Sequence, residues 1–135
     1  MLTGKLIHPE IMEVISLCGH GSKILIADGN YPLKAKATNA HRVYLGLMPG
    51  TPTVTDVLEA LMSVANFESY ELMVPESGEN PPVFDEFSKM LPDVPAKHLG
   101  RYEFYDACCD SIVELAISTG EKRTFANILL TLGCA

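Results

Sequence analysis

A short, uninterrupted apolar run is the feature that most constrains how this chain can fold. Residues 24–27 read Ile-Leu-Ile-Ala after Lys23, and the run stops at the polar turn Asp28-Gly29-Asn30. Half-exposed strands alternate apolar and polar residues, whereas a short continuous run is typical of a strand buried on both faces. A strand of that kind needs helices above and below it. The run therefore predicts the interior of an α/β sheet.

Two helices carry clear start signals. Pro9 suits a first helical position and Glu10 suits the positive end of the helix dipole. Apolar residues then recur at helical spacing, and we expect Gly19 to end this helix in the left-handed conformation. The Thr-x-x-Asp pattern of Thr53 and Asp56 is a variant capping box, which predicts a second helix after Thr53.

The remaining elements alternate between strand and helix. Further strands are predicted at 42–47, 69–74, 96–101 and 127–132, and further helices at 83–91 and 105–118. The inner face of the last helix would consist of Cys109, Ile112, Val113, Ala116 and Ile117. This alternation predicts a single α/β domain over residues 1–135, with a largely parallel sheet.

Composition excludes several function classes. The chain has 135 residues, with 10 Lys and Arg against 17 Asp and Glu, giving a net charge of −7. Nucleic acids and anionic membranes need a basic patch, so neither is an expected partner. No apolar run is long enough to cross a membrane, and the four cysteines show no disulfide or CxxC spacing, so we expect a cytoplasmic protein. A hydrophobic content of 47% indicates either a deep core or self-association.

Asp28 and His20 are the first candidate site residues. Asp28 follows the buried strand, at the edge where α/β sheets bind ligands, and His20 lies between the first helix and the same strand. Each has a structural alternative: His20 could interact with the helix dipole, and Asp28 could bond its own turn. The four histidines are dispersed, so no metal site is expected. The neighbouring Cys108 and Cys109 leave a thiol-based redox role as a further alternative.

Several segments together resemble the RbsD/FucU sugar mutarotases. The resemblance covers nearly the whole chain, and its motifs are Gly19-His20-Gly21, Ile26-Ala27-Asp28-Gly29-Asn30-Tyr31-Pro32, Arg101-Tyr102-Glu103-Phe104-Tyr105, Thr119-Gly120-Glu121 and Phe125-Ala126-Asn127-Ile128-Leu129-Leu130. The third of these is similar to the fucose branch of the family. The resemblance implies a three-layer α/β domain in which helices flank the sheet.

The resemblance also implies a function. It implies an isomerase that exchanges ring forms or anomers of a free monosaccharide without a cofactor, in a ring-shaped decamer whose sites lie near subunit contacts. His20 matches the catalytic histidine, Asp28 the sugar-binding aspartate, Arg101 a ligand-contacting arginine of the fucose branch and Asn127 the asparagine of a Tyr-x-Asn motif. A histidine that titrates near neutrality suits the proton transfers of hemiacetal opening.

One position departs from the family pattern. Phe125 stands where the family usually has tyrosine, so a phenol hydroxyl is absent from a substrate-binding position. Tyr31 or Tyr105 could supply a replacement. The departure also leaves open an alternative function, in which the chain binds a sugar or sugar phosphate without turning it over. Ribose-like and fucose-like sugars both remain candidate ligands.

Overall fold

The computed structural model describes residues 1–135 and contains five helices and six strands. The helices are α1 (Pro9–Leu17), α2 (Leu33–Lys36), α3 (Val54–Met62), α4 (Val83–Met90) and α5 (Arg101–Cys108). The strands are β1 (Lys23–Ala27), β2 (His41–Tyr44), β3 (Phe67–Met73), β4 (Ala96–Leu99), β5 (Val113–Ser118) and β6 (Ile128–Leu132). No helix is both long and apolar enough to span a lipid bilayer.

All six strands form one sheet in the order β2-β5-β1-β6-β3-β4. Strands β1 and β5, β2 and β5, and β3 and β4 pair in parallel. Strand β6 is antiparallel to both of its neighbours, β1 and β3. Five strands therefore run in one direction and β6 in the other, which confirms the predicted largely parallel sheet.

Strand β1 is the buried strand that the apolar run predicts. Ile24 and Ile26 are fully buried in a core that also contains residues of α1, α3 and α4. Leu25 and Ala27 are fully buried in a second core, with residues of α2 and α5 on the opposite face. The predicted α/β class with helices on both faces is confirmed: the sheet is the middle of three layers.

The predicted helix over residues 105–118 is wrong. Helix α5 ends at Cys108, a turn follows in which Ile112 N–H donates to Asp110 Oδ1 at 2.9 Å, and β5 begins at Val113. Short apolar stretches fit both helical and strand spacing. Here β5 is buried between β1 and β2, so pairing on both edges decides in favour of the strand.

Smaller differences concern the ends of elements. Helix α1 ends with Cys18 in an extended conformation, and the left-handed residue is Gly21, at φ 86°, not Gly19. Gly21 takes that conformation where its N–H donates to the Leu132 carbonyl at 2.9 Å. Strand β2 is shorter than the predicted 42–47, and the single turn of α2 was not predicted. The capping box of Thr53 and Asp56 is confirmed, with both reciprocal hydrogen bonds present.

The segment between β5 and β6 crosses the carboxyl end of β1 and fixes the backbone there. Thr119 Oγ1 donates to the Ala27 carbonyl at 2.8 Å, and Gly29 N–H donates to the Glu121 carbonyl at 2.9 Å. The Gly120 N–H donates to the Pro52 carbonyl at 2.9 Å. The loop after β1 therefore depends on its contacts with this crossing segment.

The Glu121 carboxylate anchors the crossing segment to two helices. Glu121 is only 4% exposed and accepts hydrogen bonds from the Arg123 guanidinium at 2.9 and 3.1 Å. It also accepts from the backbone N–H of Val54, the first residue of α3, at 3.4 Å. Arg123 in turn pairs with Glu86 of α4. Hydrogen bonds from Arg123 hold the pKa of Glu121 below its ordinary value, with burial opposing them.

Replacement of Gly120 by alanine is expected to destabilise the fold. A Cβ at this position would lie 2.5 Å from the carbonyl oxygen of Met48 and closer still to that of Thr51. Because both neighbours are backbone atoms, we expect a loss of about 2 kcal/mol or more in the free energy of unfolding, measured by urea denaturation. Gly100→Ala is the control, because its Cβ meets no atom within 4 Å. Equal stability of the two variants would contradict the steric argument.

The ion pair of Glu121 predicts a pH-dependent effect. A carboxyl whose pKa is depressed in the folded state contributes stability above its unfolded pKa, about 4.3, and loses it as the pH falls through the folded value. Glu121→Gln should therefore be less stable than the wild type at neutral pH, and the difference should shrink in acid. Urea midpoints from about pH 7 to about pH 3 test this. Glu79→Gln, on an exposed loop, is the control, and a gap that does not change with pH would contradict the prediction.

Candidate functional site

A cavity of about 250 Å³ opens at the carboxyl ends of β1 and β3. Its lining consists of Asp28, Asn30, Tyr31, Met73, Arg101, Tyr105, Thr124, Phe125 and Asn127. Four of the five predicted site residues are among them, although they lie far apart in the sequence. The antiparallel direction of β6 explains the juxtaposition, because Asn127 at its start lies beside Asp28 at the end of β1.

Asp28 and Asn127 form a reciprocal pair at the base of the cavity. The Asp28 N–H donates to Asn127 Oδ1 at 2.8 Å, and Asn127 Nδ2 donates to Asp28 Oδ2 at 3.0 Å. Asp28 Oδ1 also accepts the Asn30 N–H at 2.8 Å. These bonds determine which way the Asn127 amide points, because its oxygen must accept and its nitrogen must donate. Both side chains are thus held rigidly where they line the cavity.

Burial dominates the electrostatics of Asp28. The residue is 3% exposed, and this desolvation raises the pKa of its carboxyl, while hydrogen bonds from Asn30 and Asn127 oppose the rise. A buried carboxylate must be paired or hydrogen-bonded to be tolerated. Each carboxylate oxygen can accept more than one hydrogen bond, so Asp28 can still receive the hydroxyl groups of a polar ligand.

Arg101 and Phe125 form another wall of the cavity. Arg101 is the first residue of α5, and its guanidinium carbon lies 5.7 Å from the centroid of the Phe125 ring. Arg101 takes part in none of the protein's salt bridges, so its N–H groups are available to ligand oxygens. Phe125 has a φ of 60°, in the left-handed region that bulky residues rarely adopt. Such strained positions concentrate at ligand sites.

His20 lies outside this cavity. It precedes β1, whereas Asp28 follows it, so the five residues of β1 separate them by roughly 16 Å at about 3.3 Å per residue. His20 instead lines a second cavity of about 560 Å³, together with parts of α1 and the end of β6. Within one copy of the chain, the structure does not bring His20 and Asp28 together.

The partner of His20 in the structure is Glu68 of β3. His20 Nε2 lies 2.9 Å from Glu68 Oε2, and the histidine side chain is 58% exposed. An ionised carboxylate can only accept, so this contact requires a proton on Nε2, and in the neutral imidazole Nδ1 is then the acceptor. A Cβ at Gly133 would lie 3.2 Å from Glu68 Cβ, so the glycine leaves room for this side chain.

Sequence reasoning missed Glu68 and several lining residues. Glu68 is 48 positions from His20, and only the pairing of β3 with β6 places it near the turn that follows α1. Strand β3 reads Phe-Glu-Ser-Tyr-Glu-Leu-Met, so Glu68 is one of two acidic residues in it and no local signal singles it out. Thr124 and Asn30 flank predicted residues in the sequence, so their place in the cavity follows once the loops are known.

Comparisons with known proteins identify the family of the chain. The sequence profile of the RbsD / FucU transport protein family matches residues 1–135. A protein named D-ribose pyranase from Symbiobacterium thermophilum is 26% identical over 128 residues, which cover 95% of this chain and 94% of that protein. Another D-ribose pyranase, from Paracidovorax citrulli, is 30% identical over 129 residues, with the same coverage of both chains.

Solved structures share the fold. Bacillus subtilis RbsD in complex with D-ribose superposes with a TM-score of 0.88 at 22% identity, over 100% of this chain and 99% of that chain. FucU from Bifidobacterium longum gives a TM-score of 0.81 at 26% identity, over 96% of both chains. The fucose mutarotase of Streptococcus pneumoniae in complex with L-fucose gives 0.79 at 24% identity, over 96% and 94%. With the profile matched along its full length, the chain belongs to the RbsD/FucU family.

Proposed function

We propose that this protein is an isomerase that exchanges ring forms or anomers of a free monosaccharide. The observation that carries the proposal is the buried, hydrogen-bonded pair of Asp28 and Asn127 lining a cavity beside the unpaired guanidinium of Arg101. A cavity of about 250 Å³ suits one monosaccharide rather than a longer saccharide. The names of the relatives, D-ribose pyranase and fucose mutarotase, point to the same chemistry. Residues 1–135 would act as one domain.

The proposed reaction consists of proton transfers. Opening a cyclic hemiacetal removes a proton from the anomeric hydroxyl and adds one to the ring oxygen, and closing the ring reverses both steps. His20 would act as the base through Nδ1, because Nε2–H donates to Glu68. Asp28 would accept sugar hydroxyl protons, and Arg101 and Asn127 would donate to sugar oxygens. General acid–base help of this kind accelerates reactions roughly 10²–10⁴-fold, and no cofactor is required.

The catalytic histidine would come from a second copy of the chain. His20 lies at the opposite end of β1 from Asp28, so a complete site needs the amino-end surface of one copy to contact the carboxyl-end cavity of another. A head-to-tail contact of this type generates a ring when the rotation between neighbouring copies closes. Apolar side chains surround the surface near His20: Met12, Ile15, Met62, Val64 and Leu132 line its cavity, and Leu17 is 77% exposed. We propose a ring-shaped oligomer, a decamer as the family resemblance implies.

The substrate class is a pentose or a 6-deoxyhexose. The curated relatives are named for D-ribose, and one structural neighbour holds L-fucose. Arg101 and the segment around it resemble the fucose branch. An acidic chain, at −7, has no electrostatic conflict with an uncharged sugar. The four thiols are free, and a reducing cytoplasm is the proposed compartment.

Phe125 favours one alternative, a sugar-binding module without catalysis. A phenyl ring cannot donate or accept a proton, so the cavity wall beside Arg101 lacks a hydroxyl there. Binding by calorimetry without faster exchange by NMR would select this alternative. The thiol-based redox alternative has less support. Burial raises the pKa of the Cys108 thiol to about 12, whereas a reactive thiolate needs a lowered pKa.

His20→Ala should abolish the exchange while leaving the fold intact. The side chain is largely exposed, so its loss removes the base without disturbing the core. Saturation-difference NMR on ribose, fucose, galactose and rhamnose would identify the substrate, and the variant should then lose about 10²-fold or more in exchange rate. His41→Ala, another exposed histidine, is the control. Exchange that persists in His20→Ala would remove the proposed role.

Mixing two inactive variants tests whether the site is shared between copies. His20→Ala and Asp28→Ala should each be inactive alone. In oligomers refolded from an equal mixture, about a quarter of the contacts join an intact His20 to an intact Asp28, so activity should return to about that fraction.

Mixing His20→Ala with the double variant His20→Ala/Asp28→Ala is the control, because no contact in that mixture has an intact His20. Mixed oligomers, verified by native mass spectrometry, that contain both single variants and stay inactive would contradict the shared site.

A further inference from the structure

We propose that the loop over residues 46–50 of one copy docks into the cavity of about 560 Å³ beside His20 of the next copy. This cavity is called the His20 groove below. The inference rests on the proposed function, which requires two copies at each site but names no element that joins them. No residue of the loop lines the sugar cavity, so the loop would control activity only by holding two copies together.

The loop exposes large apolar side chains to solvent. It reads Gly-Leu-Met-Pro-Gly and contains no charged residue. Leu47 is 80% exposed and the neighbouring Met48 is 60% exposed. Exposed apolar surface is unfavourable in water, and contiguous patches of it mark interaction sites. The loop therefore has the character of an unpartnered contact surface.

Backbone hydrogen bonds hold the loop in one conformation. The Leu47 N–H donates to the Thr51 carbonyl at 3.0 Å, and the Thr51 N–H donates to the Met48 carbonyl at 2.9 Å. The Gly50 N–H donates to the Gly120 carbonyl, on the crossing segment, at 2.5 Å. A preformed loop loses less conformational freedom when it binds than a flexible one. The apolar side chains are thus presented on a rigid support.

The loop lies at the same edge of the sheet as the sugar cavity. It follows β2, which is parallel to β5, and β5 is parallel to β1, the strand that ends beside Asp28. Leu47 and Met48 line a cavity of about 370 Å³ to which Asn30 also contributes, and Asn30 lines the sugar cavity as well. A copy that brings its His20 to this sugar cavity therefore brings its groove close to the loop.

The His20 groove offers a surface of matching character. None of its lining residues is Asp, Glu, Lys or Arg, although these make up 20% of the chain. Val64 is 53% exposed and Met62 is 37% exposed on its wall. A charged segment placed in this groove would lose its hydration without gaining an ionic partner. An uncharged apolar loop avoids that cost and covers the exposed side chains.

The other segments near the sugar cavity suit the groove less well. The loop after β3 exposes Glu76 and Glu79. Tyr102 on α5 is exposed, but the exposed charges of Arg101 and Glu103 flank it. Charge thus favours the loop over residues 46–50 as the segment that enters the groove.

Leu47→Glu tests the inference by placing a charge on the docking surface. We expect the association of copies to weaken by about tenfold or more, as for a central interface residue, measured by sedimentation velocity and native mass spectrometry. Sugar exchange per chain should fall with the loss of assembly and recover at high protein concentration. Ile112→Glu is the matched control, because Ile112 is 43% exposed but lines neither the groove nor the cavity beside the loop. Circular dichroism verifies that each variant is folded.

A charge pair shows whether the loop and the groove meet. Val64→Lys should weaken association on its own, because it places an ammonium in the uncharged groove. In the double variant Leu47→Glu/Val64→Lys, every loop–groove contact joins a new carboxylate to a new ammonium, so association should be stronger than in either single variant. This recovery should decrease as the salt concentration rises.

Three results would overturn the docking. They are a Leu47→Glu variant that assembles like the wild type, a double variant that assembles no better than either single variant, and a monomeric wild type, whose groove would be free for a different partner. A wild type that assembles through the loop but exchanges no sugar in the panel would overturn the proposed function and leave the docking intact.

Discussion

The antiparallel insertion of β6 between β1 and β3 is the constraint on which the site depends. If all six strands ran in the same direction, the start of β6 would lie at the other edge of the sheet, and Asn127 could not reach Asp28. Reversal brings the amino end of β6 beside the carboxyl ends of β1 and β3. The reciprocal hydrogen bonds between Asp28 and Asn127 then join the two loops in a buried environment, where an unpaired carboxylate would be costly.

Two buried carboxylates, Glu121 and Asp28, are stabilised in different ways near the crossing segment. Glu121 is buried with a bidentate arginine, and its pKa is held low. Asp28 is equally buried but has only neutral hydrogen-bond donors, and its pKa is raised. The first carboxylate has a cationic partner, whereas the second is held by neutral donors alone and keeps an oxygen at the cavity. This contrast between two buried acids supports the proposal that Asp28 binds the ligand.

Sequence patterns predicted the elements that depend on interactions between neighbouring residues. The buried run of β1 and the capping box of α3 are encoded by neighbouring residues, and both are present as expected. The strand β5 was mistaken for a helix because its spacing satisfies both periods, and only its neighbours β1 and β2 settle the choice. Asp28 and Asn127 could be predicted from a resemblance, and both line the cavity. Glu68 could not, because its contact with His20 exists only once the sheet has formed.

Strand β1 also limits how the cavity can change during evolution. It is paired on both edges and fully buried on both faces, so a residue added or removed there would shift the register of two neighbouring strands and disrupt both cores. Strand β1 therefore fixes the distance between His20, which precedes it, and Asp28, which follows it. Alterations in what the cavity accepts must arise in the loops and the first turn of α5 that line it. Substitutions at positions such as Arg101, Tyr105 and Phe125 can therefore change the lining of the cavity without changing the sheet.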